Sequence, residues 1–306
     1  MVFVRKSNSA GARHAGTRKR VIGLPVWLAV FATLLPLASA QAGETDRVIP
    51  LHDEAGGAMS IEASIDGQRG IFLFDSGWGV SALSPVMADR VGCRPWGQLT
   101  GFRAIGERVD MRQCRPATIV LGDQRIRLPT LGYVDIQRFM PPGSPVYGGG
   151  LGLDMFAGRI VTLRARARQI VLESPASLEK RIAHARPIPI RLVREVQGAA
   201  LTVDVGVPTP QGMLWMELDT GNSGPTMIAR HAAALVGLKP DQELGQNVSM
   251  TIVPGAVVQG PALVRDLIMD GNIGLDFLRR WDLTLDLDRG RAWLAPSDGI
   301  GRKVRD

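Results

Sequence analysis

Two apolar runs in the chain end the same way. Gly70-Ile71-Phe72-Leu73-Phe74 runs into Asp75-Ser76-Gly77, and Met213-Leu214-Trp215-Met216-Glu217-Leu218 runs into Asp219-Thr220-Gly221. A short apolar run closed by a turn triplet predicts a buried strand. Residues 47–74 read as two or three strands, with turns at Glu54-Ala55-Gly56-Gly57 and Asp66-Gly67, the second suited to a hairpin. Ile160-Val161-Thr162-Leu163 and Leu283-Thr284-Leu285-Asp286-Leu287 alternate apolar and polar positions, as half-buried strands do. Residues 84–91 predict a short amphipathic helix, capped by Ser84 with Pro85 in its first turn. Residues 227–236 play that part after the second triplet, and residues 177–185 predict a short charged helix with solvated Lys180 and Arg181. Longer helical patterns are scarce and Val, Ile, Leu, Gly and Pro abound, so the fold class is mainly β.

The surroundings of the two triplets repeat as well. Arg47-Val48-Ile49-Pro50-Leu51 matches Arg186-Pro187-Ile188-Pro189-Ile190 upstream of them. Downstream, Met87-Ala88-Asp89-Arg90-Val91-Gly92-Cys93-Arg94-Pro95 matches Ala232-Ala233-Ala234-Leu235-Val236-Gly237-Leu238-Lys239-Pro240. Gly150-Leu151-Gly152-Leu153-Asp154-Met155-Phe156 matches Asn272-Ile273-Gly274-Leu275-Asp276-Phe277-Leu278. Four matched blocks in one order predict two homologous lobes.

A single Asp-Ser/Thr-Gly is a common turn, because Asp caps local amides and Gly accepts unusual backbone angles. Two such triplets on symmetric lobes are a different matter. An aspartate at the end of a buried strand is costly alone, whereas two facing each other can share one proton.

The order of strand, Asp-Ser/Thr-Gly, short helix and later apolar-Gly pair resembles the aspartic protease superfamily, in the form of a bacterial retropepsin-like chain with both lobes fused. The resemblance covers roughly residues 47 to 297. It implies a bilobal β-rich fold with a cleft between two β-barrel-like lobes, and an aspartic endopeptidase. Asp75 and Asp219 would be the catalytic pair, activating a water for attack on a peptide carbonyl. Ser76 and Thr220 would bond across the pseudo-twofold axis, Gly77 and Gly221 would let amides approach the carboxylates, and Gly152 and Gly274 would support the loops from behind. A peptide or protein substrate would lie extended between the lobes; no cofactor or metal is implied. The flap of such a fold would be Gly101-Phe102-Arg103-Ala104-Ile105-Gly106, with Phe102 and Ile105 touching substrate. Its second-lobe counterpart would be residues 247–259, turning near Pro254-Gly255. Trp78, where that family has a small residue, would wall a substrate pocket or obstruct the first site, and Asn222 stands in the matching place. Asp154 and Asp276 are expected as structural caps. The alternative function is a non-catalytic peptide- or partner-binding protein on the same fold.

Charge and cysteines place the chain. The formal charge is +7, but the first 40 residues hold six basic and no acidic residues, which leaves 30 basic against 29 acidic. The basic balance therefore belongs to the leader, and nucleic acid is excluded as a partner. A basic start, an apolar stretch over 21–40 and a small-residue end at Ala38-Ser39-Ala40 read as a signal peptide, with an uncleaved anchor as the other reading. The expected organisation is signal peptide 1–40, first lobe 41–176, linker 177–187 and second lobe 188–306. The mature chain is expected to be periplasmic or secreted, without stable membrane association, and monomeric because both half-sites lie in one chain. Export favours a disulfide between Cys93 and Cys114, the only two cysteines, with a buried free pair as the alternative. The four histidines form no ligand cluster. From Asp75 to Asp154 is 79 positions and from Asp219 to Asp276 is 57, so the first lobe carries about 22 extra residues, expected near the Pro- and Gly-rich loop 141–150.

Overall fold

The structure is a computed structural model that describes residues 47–297; the expected signal segment 1–40 lies outside them. The chain is mainly β and bilobal. Each lobe has its own sheet, and a third sheet joins them.

The first lobe's sheet is built on Gln68–Phe74, whose inward residues Phe72 and Phe74 are fully buried. Met59–Ile65 pairs with it across the Asp66-Gly67 turn, from Met59 opposite Phe74 to Ile65 opposite Gln68. On its other side lies Gly149–Leu151, in parallel register, Gly150 opposite Leu73 and Leu151 opposite Phe74. The second lobe repeats this arrangement. Gly212–Leu218 pairs with Thr202–Thr209, and Gly271–Ile273 runs parallel to it, Asn272 opposite Glu217 and Ile273 opposite Leu218. The matched sequence blocks thus occupy matched places.

Ser84 caps the helix Pro85–Arg90, accepting from Met87 N, as its Ser-Pro start predicts. The second-lobe counterpart differs from the expected 227–236 helix. Residues Thr226–Ala229 form a strand parallel to Ala256–Arg265, and only Arg230–Ala233 is α-helical. Sheet pairing here outweighs local propensity. The interlobe helix spans Pro175–Ile182 and starts earlier than expected, because Ser174 and Ser177 cap each other reciprocally.

Part of the extra length of the first lobe is a hairpin, Ala117–Leu121 with Gln124–Leu128, rather than the loop 141–150 alone. It extends the sheet beyond Met59–Ile65, at the opposite end of the strand order from the hairpin of Trp96–Phe102 and Arg108–Cys114.

Cys93, just after the first helix, is joined to Cys114, at the end of Arg108–Cys114, with Cα atoms 5.4 Å apart. Closing a loop of this length constrains the unfolded chain by about 3 kcal/mol. Replacing both cysteines with alanine is expected to lower the unfolding free energy by about that amount in urea titration. An unchanged midpoint would show that the bond does not restrain the unfolded chain.

The joining sheet has the order Arg47–Pro50, Gln169–Leu172, Ile160–Arg164, Trp281–Asp286, Arg291–Pro296, Arg186–Ile188. Its first three strands precede the interlobe helix in the chain and the other three follow it. At its centre Thr162 pairs with Thr284, their hydroxyls 2.9 Å apart. These are equivalent residues of the two repeats, each ten positions after its apolar-Gly glycine. A residue that pairs with its own equivalent lies on the pseudo-twofold axis.

Candidate active site

Each Asp triplet sits where its strand leaves the sheet. The strand after the triplet turns away, and a third strand fills the place beside the first. Asp75 N donates to Leu151 O and Asp219 N donates to Ile273 O, both at 3.0 Å. The apolar-Gly strands therefore back both turns by direct backbone bonds. Gly152 N donates to Ser81 Oγ at 3.1 Å, and a side chain on Gly274 would run into Asn222.

The turns meet across the pseudo-twofold axis. Ser76 N donates to Thr220 Oγ1 and Thr220 N donates to Ser76 Oγ, both at 2.9 Å, while Ser76 Oγ donates to Leu218 O at 2.7 Å. Both side chains are buried. Reciprocal bonds between buried groups hold the two turns in one geometry. Gly77 N caps its own Asp75 Oδ1 at 2.8 Å, and Gly221 N caps Asp219 Oδ1 at 2.7 Å. The glycines do a second job that the sequence alone left unread: each faces the opposite aspartate. A methyl on Gly221 would lie 2.5 Å from Asp75 Cγ, and one on Gly77 would lie 2.9 Å from Asp219 Cγ.

The result is a pair of carboxyl groups in hydrogen-bonding contact between the lobes. Burial, then the charge of Asp219 and the bond to it, push the Asp75 carboxyl well above the usual range. Two carboxyl groups placed in this way can share one proton. Such a pair can take a proton from a water and donate one to an oxygen or nitrogen.

The surroundings of the two aspartates are unlike. Behind Asp219, Asn272 Nδ2 donates to Asp219 Oδ2 at 2.7 Å and to Glu217 Oε2 at 3.1 Å. Asn272 Oδ1 accepts from Asn222 Nδ2 at 2.8 Å. Glu217 is buried, and its carboxyl is raised well above the usual range by burial and then by Asp219 and Asp75. The equivalent positions of the first lobe are Leu73, Trp78 and Gly150. Trp78 lies over Gly150, where a methyl would meet the indole at 2.7 Å, and packs on the cluster of Leu73, Ala82 and Tyr147. The indole Nε1 is buried without a hydrogen-bond partner.

Of the residues expected to touch substrate, Trp78 therefore packs within its own lobe, and Asn222 is occupied with Asn272, Gly224 N and Pro225 O. Phe102 and Ile105 are exposed near the tip of the 96–114 hairpin. That tip reaches the second lobe: Ile268 N donates to Ala104 O at 3.0 Å. The hairpin of Gln246–Val253 and Ala256–Arg265 turns at Pro254-Gly255 as expected, beside Arg186. Asp154 is a half-buried cap, accepting from Ser81 N and Ser81 Oγ, whereas Asp276 is exposed. Glu217 and Asn272 were missed as functional candidates. The available signal was an acidic residue inside an otherwise apolar strand.

No family model and no curated protein matches the chain. Among solved structures it is similar to the basic 7S globulin from soybean, at 12% identity and a TM-score of 0.53, covering 82% of this chain and 94% of that one. It is also similar to conglutin gamma, a basic 7S globulin from lupine seeds, at 12% identity and a TM-score of 0.51, covering 83% of this chain and 95% of that one. At this identity the likeness shows the fold alone. These findings correct the family read from the sequence. The similar structures are described as globulins rather than as aspartic proteases, and the chain is not assigned to the aspartic protease superfamily. The physical reason is that the triplets and their repeats encode turn geometry and lobe symmetry. Those belong to a fold, and a fold hosts more than one function.

Proposed function

We propose that the chain hydrolyses peptide bonds, using Asp75 and Asp219 as a proton-sharing pair. The observation that carries this reading is the pair itself. Two half-buried carboxyl groups face each other, on turns held by reciprocal bonds between Ser76 and Thr220. Bringing two such acids together and partly desolvating them costs stability, which a surface made only for binding has no need to bear. In the reaction, a water would sit against both carboxyl groups. The ionised one takes its proton as the oxygen attacks the peptide carbonyl, and the protonated one donates to the carbonyl oxygen. A proton then passes to the leaving amine as the C–N bond breaks. An exported monomer acting on an extended peptide or protein between the lobes fits this reading.

The likeness to the two globulins favours a second reading, a cleft that binds a peptide or partner without cleaving it. The test is cleavage of a mixed peptide library from pH 3 to 7 by the chain and by Asp75→Asn and Asp219→Asn variants. Cleavage lost in both variants supports the first reading. A folded chain that cleaves nothing, and binds equally well as Asp219→Asn, supports the second.

A further inference from the structure

We propose that Asn272, clamped in one orientation by Asn222 and Glu217, holds Asp219 as the carboxylate of the pair and leaves the shared proton on Asp75. For its kinetic consequence this inference rests on the hydrolytic reading; its structural part does not.

The orientation of the Asn272 amide is set from the backbone inward. Asn222 Oδ1 accepts from Gly224 N at 3.0 Å, and Asn222 Nδ2 donates to Pro225 O at 3.2 Å. That leaves Asn222 presenting a donor to Asn272, so Asn272 Oδ1 must face it. Both protons of Asn272 Nδ2 then point at oxygens, one on Asp219 and one on Glu217. Turning the amide over would set donor against donor at Asn222 and acceptor against acceptor at Asp219. Asn272 is fully buried, so neither mismatch could be relieved by water.

Asp219 therefore accepts two N–H bonds, from Gly221 and Asn272, a donor set suited to a carboxylate. Asp75 accepts only backbone N–H bonds, from Gly77 and Gly221, and has Gly150 and the Trp78 indole where Asp219 has the Asn272 amide. The two halves of the site are alike in backbone and opposite in polarity. The charged groups around the network are few. Asp75 faces it from the first lobe and Asp204 from the adjoining strand, where Arg191 lies 3.7 Å from Asp204. Asn272 is thus a positioning residue, acting through Asp219.

The experiment is carbon-13 NMR of the full chain with labelled aspartate carboxyls, assigned with Asp75→Asn and Asp219→Asn. Between the two titration steps of the pair, the Asp219 signal is expected at the carboxylate position and the Asp75 signal at the acid position. In Asn272→Leu and in Asn222→Ala the two signals are expected to draw together. Glu217→Gln, which keeps an acceptor, retains the parent pattern. If peptides are cleaved, Asn272→Leu lowers kcat by about 100-fold with KM little changed. If Asn272→Leu does not fold, Asn222→Ala gives the same reading at a partly exposed position. Signals identical in the parent and Asn222→Ala, or a parent with Asp75 as the carboxylate, would overturn the inference. A parent that titrates as expected but cleaves nothing sinks the hydrolytic reading and leaves the inference standing.

Discussion

Asp75→Asn is expected to make the protein harder to unfold and Asp219→Asn to make it easier to unfold, while either change would abolish the proposed cleavage. On the hydrolytic reading each change would remove one of the two acid–base groups, worth about 10⁴-fold in kcat at the upper end of such effects. Stability separates them. An asparagine at 75 resembles a protonated aspartate: its oxygen accepts from Gly77 N, and its amide donates to Asp219. The buried proton sharing is relieved, and a gain of about 1 kcal/mol at neutral pH is typical of removing such a functional strain. An asparagine at 219 keeps its oxygen on Gly221 N but turns its own amide toward Asn272 Nδ2. Two buried donors then face each other at a cost of about 1–3 kcal/mol. Urea unfolding of both variants beside the parent reads the difference. Equal shifts of the same sign would contradict the geometry.

The second large effect is on pH. Burial raises the Asp154 carboxyl to about 6, only partly offset by its bonds from Ser81. In the unfolded chain it titrates near 3.8. Between these values the folded state holds a proton that the unfolded state has released. The contribution of Asp154 is therefore fully present below the unfolded value and lost as pH rises through 6. The difference corresponds to about 3 kcal/mol. Asp75 and Glu217 are raised as well and act with the same sign. The protein is expected to unfold more easily at pH 8 than at pH 5, and Asp154→Asn is expected to flatten that slope. A slope unchanged by the substitution would show that the carboxyl is not the source.

Much of this was legible in the sequence. The two apolar runs, the two triplets and the matched glycines predicted a two-lobed β-fold, and the lobes repeat each other as those blocks do. The cap at Ser84 was readable because capping depends on neighbours in the chain. What escaped depended on neighbours in space. Residues Thr226–Ala229 are a strand because Ala256–Arg265 lies beside them, which their own pattern does not reveal. Trp78 was expected to wall a substrate pocket or to obstruct the first site, and the room beside the turn that takes its indole comes from Gly150, opposite Leu73 in the sheet. Glu217 lies in a run read as apolar, and its partner Asn272 stands across the ladder, far away in sequence. The family reading failed for a further reason. The quoted motifs describe how a chain turns and repeats, and such constraints are shared by proteins with different roles.

The joining sheet has a consequence for how the two halves depend on each other. Thr162 and Thr284 meet on the axis, and one continuous core includes Val161 and Leu163 from one half with Leu283 and Leu285 from the other. The halves therefore meet as subunits of a symmetric dimer do. The interlobe helix and the residues after it serve as a tether, which keeps each half at a high local concentration of the other. A chain nicked in the turn at 183–185 should remain one particle at ordinary dilution. Its two pieces would part only when the sheet between them is broken.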